Sequence, residues 1–211
     1  MSVAQNLKIT ESVVFVVDDD EAVRTSVKEL LNSMGLVAEA FSSAESCKSR
    51  LNHLTPSCLV LDIRLQGQSG LSLQEELRQQ ECRIPIIFMS GLSDIGSAVT
   101  AMKSGAVDYF IKPFSHQVFL EAVQKAISIS IETDFSISKN KLLLSKFDTL
   151  TKREKEILTH VGSGASNKKI ATYLGLSEVT VKIHRSRLMK KIGAESASDL
   201  HRFAHCMEAF N

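Results

Sequence analysis

The sequence holds no tryptophan, only three prolines and four cysteines, and its aromatic residues amount to 6%. Cys47, Cys58, Cys82 and Cys206 lie far apart, with no C-x-x-C pair among them. That spacing argues against a zinc site or a disulfide framework and points to a reducing, cytosolic setting. No apolar run approaches the roughly 18 residues that a membrane span needs, so an integral membrane protein is not expected. The first residues, MSVAQNLKIT, show no basic start leading into an apolar stretch, so a secretory signal is not expected either. Internal repeats and low-complexity segments are also missing. What remains is a chain of 211 residues, 44% hydrophobic and 23% charged. It can bury a core without covalent staples, and its length suits one to two domains.

Charge is divided unevenly. Residues 1–134 carry 11 Lys and Arg against 17 Asp and Glu, whereas residues 148–211 carry 11 against 7. Between Gly162 and Gly193 seven basic residues face one acidic residue. An acidic front and a basic back imply two modules with different partners, the second suited to a polyanion.

The front alternates apolar runs with helical patterns. Val13-Val14-Phe15-Val16-Val17 has the composition of a strand buried on both faces. Further strands are expected at Leu36–Phe41, Cys58–Leu61, Ile84–Met89 and Tyr109–Ile111. Helices are expected over Glu21–Met34, Ser43–Leu54, Leu71–Gln80, Ile95–Ser104 and from His116 to about Ile131. Five such units predict a flavodoxin-like, doubly wound (βα)5 parallel sheet with helices on both faces. The pattern does not fix the strand order, for which 2-1-3-4-5 is the common choice. The rhythm stops after Glu132, and residues 133–147 read as a linker in which Lys139–Lys146 could be helical. The tail shows helical patterns alone. They are Thr151–Val161, opened by a Thr151/Glu154 capping box, then Asn167–Leu174, Glu178–Ile192 capped by Ser177, and Ser198–Phe210.

Ligands of open α/β sheets sit beyond the carboxyl ends of the strands. Here strand 1 runs into Asp18-Asp19-Asp20, strand 3 into Asp62, strand 4 into Ser90 and strand 5 into Lys112. Any one of these could be a polar residue kept for solubility, but their phase with the strands favours a shared site. Gathered carboxylates suit a hard divalent cation such as Mg²⁺, and a lysine with a hydroxyl suits phosphoryl oxygens. Asp62 is then the candidate nucleophile.

The motifs V-V-D-D-D, L-D-I-R with Ser69-Gly70, M-S-G and K-P-F resemble the receiver domain of bacterial two-component response regulators over about residues 12–132. The resemblance implies that Asp62 accepts phosphate from a cognate histidine kinase. It makes Asp18, Asp19, Asp62 and the backbone carbonyl of Arg64 the Mg²⁺ ligands. Ser90, Tyr109 and Lys112 become the phosphoryl-binding and switch residues, and Lys112-Pro113 a cis peptide. The turn departs from the usual M-P-x-x-x-G: Leu65-Gln66-Gly67-Gln68-Ser69-Gly70 loses the proline and gains a glycine, which points to a looser loop. The resemblance also places Arg64 and Leu92 around the water that would hydrolyse an acyl phosphate. Apolar Leu92 and long Arg64 predict a long-lived phosphoryl group, opposed by a Gln68 amide that could orient the water.

In residues 148–211, L-T-x-R-E, N-K-x-I-A and T-V-K-x-H resemble the LuxR/NarL-type DNA-binding domain, and the combination resembles the FixJ-type subgroup. By position, Lys182, Ile183 and Ser186 are the candidates for base contact. Asn167, Lys168 and Lys190 are the candidates for phosphate contact, and Arg185 faces the same side. Lys155 and Lys191 read as solvated helix-face charges. His201 and His205 lie four apart, but Arg202 stands where H-E-x-x-H requires Glu, so a metal there is disfavoured and this helix is expected to pack and dimerise. The expectation is a cytoplasmic, DNA-binding response regulator that is no enzyme. It would dimerise when phosphorylated and meet promoter DNA. The alternatives are an aspartyl-phosphate phosphatase and a phosphate-shuttle receiver without specific DNA binding. The first would want a carboxylate where Arg64 stands, and the basic tail argues against the second.

Overall fold

A computed structural model describes residues 12–51, 57–91 and 94–208. By compactness the chain divides into one unit up to Phe135 and another from Ser136.

The first unit is a five-stranded sheet in the order β2-β1-β3-β4-β5, all parallel. Its elements are β1 (Val13–Val17), α1 (Glu21–Ser33), β2 (Val37–Phe41), α2 (Ala44–Leu51), β3 (Ser57–Asp62), α3 (Gly70–Gln79), β4 (Ile86–Ser90), α4 (Ile95–Lys103), β5 (Asp108–Ile111) and, up to Phe135, the first part of α5 (His116–Asp148). The flavodoxin-like expectation is met. Successive strand residues point to opposite faces, so each buried strand feeds two cores. Val14, Val16, Cys58, Val60, Ile87 and Met89 pack with Val27 and Leu31 of α1 and with Phe119, Val123 and Ile127 of α5. Phe15, Val17, Leu59, Leu61 and Phe88 pack on the other side with Cys47, Leu73, Leu77 and Ala101. Burial pushes the Cys47 thiol up to about 12. It is therefore a small core side chain rather than a reactive one.

Among the described residues, two boundaries differ from expectation by two residues or more. β4 starts at Ile86 rather than Ile84, with Pro85 already buried before it. The helix from His116 does not stop near Ile131 but runs on to Asp148. Residues 116–148 contain neither glycine nor proline, so nothing in them terminates a helix. The ends of the expected helices at residues 52–54 and 209–210 lie outside the described residues.

The second unit holds α6 (Lys152–Gly162), α7 (Asn167–Leu174), α8 (Glu178–Ile192) and α9 (Ala197–Glu208). Leu143 and Phe147, inside the segment read as a linker, pack against its core of Ile157, Leu158, Ile170, Val181, Leu188, Ile192, Leu200 and Phe203. Caps define its helices. Thr151 and Glu154 close the capping box on α6, and Ser166 and Ser177 cap α7 and α8. Gly175 takes φ +64°, a left-handed conformation open to glycine at no steric cost, and turns the chain from α7 into α8.

The two lysines expected to be solvated are engaged. Lys155 Nζ sits 4.3 Å from the Phe147 ring centroid, a cation–π contact. Lys191 Nζ donates to Glu154 Oε2 at 2.7 Å and to the Thr149 carbonyl at 3.1 Å. The reason is Glu154, whose side chain is buried while that of Lys191 keeps 35% exposure. Burial alone raises the Glu154 pKa, but hydrogen bonds from Lys191 and from the Thr151 backbone and hydroxyl outweigh it and hold the group below the usual range.

A group with a depressed pKa adds stability above its unfolded pKa and loses it as pH falls through the folded one. Lys191→Ala should therefore cost about 1–2 kcal/mol at neutral pH, reduced from a fully buried pair by the exposure of the lysine. Urea midpoints read by circular dichroism should differ at neutral pH and converge on the acid side of the glutamate range.

Candidate functional site

Parallel register gathers the strand-end residues. β1 and β3 pair Val17 with Leu61, so Asp18 and Asp62 emerge side by side. Asp62 pairs with Met89, and Ser90 with Ile111, one residue before Lys112. The Lys112 backbone donates to the Ser90 carbonyl at 2.7 Å. Asp18, Asp62 and Lys112 continue the alternation of Val16, Val60 and Phe110, so they share the face toward α1 and α5. Ser90 and Tyr109 belong to the opposite alternation, toward α2, α3 and α4.

Lys112 Nζ lies 2.5 Å from Asp18 Oδ2 and 3.4 Å from Asp62 Oδ1. Asp18 is 1% exposed and Asp62 7%, while Asp19 is open to solvent. One carboxylate oxygen from each of Asp18, Asp19 and Asp62 lies within 4.8 Å of the others. Oxygens so spaced, two buried and one exposed, can hold a divalent cation and leave positions for water. Burial raises the Asp62 pKa; Lys112 opposes this, and Asp18 and Asp19 add to it. Asp62 is thus a carboxylate whose charge is opposed by burial and by its acidic neighbours and favoured by Lys112.

The surrounding backbone fixes these groups. Asp20 caps α1 through Ala22 and Val23, and its own N–H donates to Asp18 Oδ1 at 2.9 Å. Arg24, half-buried on the first turns of α1, donates from Nη1 to the Asp18 carbonyl at 2.8 Å. Sequence reasoning missed this role. The available signal was an arginine following an acidic run at helical spacing. Gly70 opens α3 directly under the site: a Cβ there would stand 2.2 Å from the Asp62 carbonyl oxygen. Only glycine permits that approach.

The loop after Asp62 is tied down despite lacking proline. Ser69 caps α3 by accepting from Ser72 N. Gln68 Nε2 donates to Glu76 Oε2 at 3.1 Å, and Glu76 pairs with Lys48 at 2.9 Å. The Gln68 amide is thereby committed to α3. Arg64 is exposed and close enough to Asp94, the N-cap of α4, to lower its pKa after the larger effect of Ser97. Leu92 lies outside the described residues. Ser90 is buried, and the half-buried Tyr109 hides a hydroxyl that has no hydrogen-bond partner among the described residues. Lys112-Pro113 is a cis peptide, as the K-P-F resemblance implied.

The second unit presents a basic surface on α7 and α8. Asn167, Lys182, Arg185, Ser186 and Lys190 line one shallow concavity with Met189. Lys168 and Ile183 are exposed outside it. Arg185 Nη1 donates to Asn167 Oδ1 at 2.7 Å, so these two candidates are partly engaged with each other. Of the five aliphatic residues on α8, Val181, Leu188 and Ile192 are buried, and Val179 and Ile183 are not. His201 turns a ring nitrogen to the Val161 carbonyl at 3.1 Å, in keeping with a packing role for α9. No helix among the described residues is long and apolar enough to cross a membrane.

An acidic pocket at the carboxyl edge of a parallel sheet, joined in one chain to a basic helix-turn-helix, has counterparts among known proteins. Residues 14–124 match the response regulator receiver domain, and residues 148–204 match the luxR family of bacterial regulatory proteins. The chain belongs to the two-component response regulators that carry a receiver and a LuxR-type DNA-binding domain. It is 44% identical over 199 residues to nodulation protein W of Bradyrhizobium diazoefficiens, covering 94% of this chain and 87% of that one. It is 39% identical over 198 residues to the response regulator protein TmoT of Ectopseudomonas mendocina, covering 94% and 90%. The structure of the response regulator StyR is similar with a TM-score of 0.82 at 39% identity, covering 92% of this chain and 98% of that one.

A raised carboxylate pKa means that the ionised form weakens the fold: the group's contribution is favourable below its unfolded pKa and lost as pH rises through the folded one. Asp62→Asn should therefore melt at a higher temperature than the parent at neutral pH, and the gap should close as pH falls through the carboxylate range. Thermal melts across that range, without divalent cation, measure it.

Proposed function

We propose that Asp62 is the phosphoacceptor of this DNA-binding response regulator. The observation that carries the reading is the convergence of Asp18, Asp19 and Asp62 on one point with Lys112 beside them. An Asp62 carboxylate oxygen attacks the phosphorus of a phosphohistidine on the cognate kinase. The phosphorus–nitrogen bond breaks, its electron pair stays on the imidazole nitrogen, and that nitrogen takes up a proton. Asp18, Asp19, Asp62 and the Arg64 backbone carbonyl are the groups that would hold Mg²⁺. Bound there, the ion supplies positive charge for the phosphoryl oxygens. Lys112 pairs with a phosphoryl oxygen from the α1 and α5 side, and the Ser90 hydroxyl donates to another from the side of α3 and α4.

The response follows from those two directions of pull. Ser90 and Tyr109 lie on the side of the sheet that packs α4, so a phosphoryl group that draws Ser90 toward it alters the fit of α4 and β5. Tyr109, with its buried hydroxyl, is the residue that registers the change. We propose that the altered face pairs two copies of the chain, and that the pair sets two α8 helices on neighbouring half-sites of promoter DNA. Lys182, Ile183 and Ser186 are the base-contact candidates. Asn167, Lys168, Arg185 and Lys190 are the candidates for contact with the phosphate backbone. Regulation of this kind suits a cytoplasmic protein and needs no separate catalytic residue. The Gln68 amide is held by Glu76 and therefore poorly placed to direct a hydrolytic water, which supports a long-lived phosphoryl group.

Acetyl phosphate with Mg²⁺ should add one phosphoryl group to the parent, seen by intact mass, and none to Asp62→Asn. The same treatment should strengthen binding of the parent to a promoter fragment in a gel shift and leave Asp62→Asn unchanged. Equal labelling of the two proteins would refute the assignment.

A further inference from the structure

Helix α8 shows solvent two large aliphatic side chains, Val179 at 65% exposure and Ile183 at 48%. The rest of its aliphatic residues serve the core, so this pair is not there for folding. The two lie four apart, on one face and about 6 Å along the helix axis. Exposed Lys182 and Ser186 each follow one of them by three residues and stand on the same face. Thr180, between them in sequence, is occupied at the cap: its Oγ1 lies 2.8 Å from the Ser177 hydroxyl. The face therefore reads aliphatic, cation, aliphatic, hydroxyl, within a stretch where seven basic residues face one acidic. That balance of charge selects a polyanion as occupant over an apolar protein surface.

On the major-groove edges of duplex DNA the one apolar group is the C5 methyl of thymine. An aliphatic side chain entering that groove has no other group to pack against. We propose that Val179 and Ile183 read thymine methyl groups, at positions about two base pairs apart given a rise of about 3.4 Å per pair. Val179 thereby becomes a specificity-determining residue at the start of α8, where a recognition helix meets base edges. This rests on the DNA-binding reading of α8 and deepens it by naming what the helix selects.

The full-length chain, phosphorylated with acetyl phosphate, is used to select binding sites from a random duplex library. The selected site is then synthesised with deoxyuridine in place of thymidine, one position at a time, which removes only the methyl group. For the parent, two such replacements in each half-site should each weaken binding about fourfold, the worth of one buried methyl group. In Val179→Ala the penalty at one of these positions should vanish, and in Ile183→Ala the penalty at the other. Both side chains are exposed, so the variants should keep the parent's circular dichroism and melting temperature. A selected site without fixed thymines, or deoxyuridine penalties that persist in both variants, overturns the proposal while DNA binding stands. A chain that selects no sequence at all overturns the DNA reading of α8 together with the proposal.

Discussion

Three carboxylates whose oxygens lie within 4.8 Å of one another, two of them paired with the Lys112 ammonium, are the constraint around which the first unit is organised. Like charges brought this close repel, and two of the three are taken out of water, which adds a desolvation cost. The fold meets that cost with rigid backbone. The parallel register places Asp18 beside Asp62, Arg24 and Asp20 hold the turn after β1, and Gly70 lets α3 start against the Asp62 carbonyl. The raised pKa of Asp62 is the residue of strain that this framework does not remove. A cation arriving among the carboxylates would relieve it by adding positive charge.

The second unit solves an unrelated problem. Its net positive charge is carried mostly on α7 and α8, and its one buried carboxylate among the described residues, Glu154, is paired locally with Lys191 and a helix cap. The receiver carries the tension and the helical unit carries the recognition surface, which is why the acidic and basic halves of the sequence separate so cleanly.

Much of this was legible from residues alone because the strands are short, apolar and followed at once by polar residues. Ligands of such sheets sit beyond the carboxyl ends of the strands, so Asp18, Asp62, Ser90 and Lys112 could be gathered from their places at those ends. Other features were hidden for identifiable reasons. The continuation of α5 through residues 133–147 reflects an absence of helix breakers in a polar segment, a weak signal beside the loss of the strand–helix rhythm. Lys191 reads as a surface charge until Glu154, 37 residues away in sequence, is known to be buried beneath it. The Gln68 amide could be aimed at water or at α3, and only the position of Glu76 decides. Val179 and Val181 are alike in sequence, yet the helix turns one to the core and one to solvent.

Lys112 supplies positive charge to Asp18 and Asp62, two of the three carboxylates that would hold a divalent cation. Its ammonium lies closer to Asp18 than to Asp62, so it competes with a cation for Asp18. Calorimetric titration of Mg²⁺ into the parent and Lys112→Met tests this directly. One site is expected in each protein, with tighter binding in Lys112→Met. Unchanged or weaker binding in that variant would contradict it.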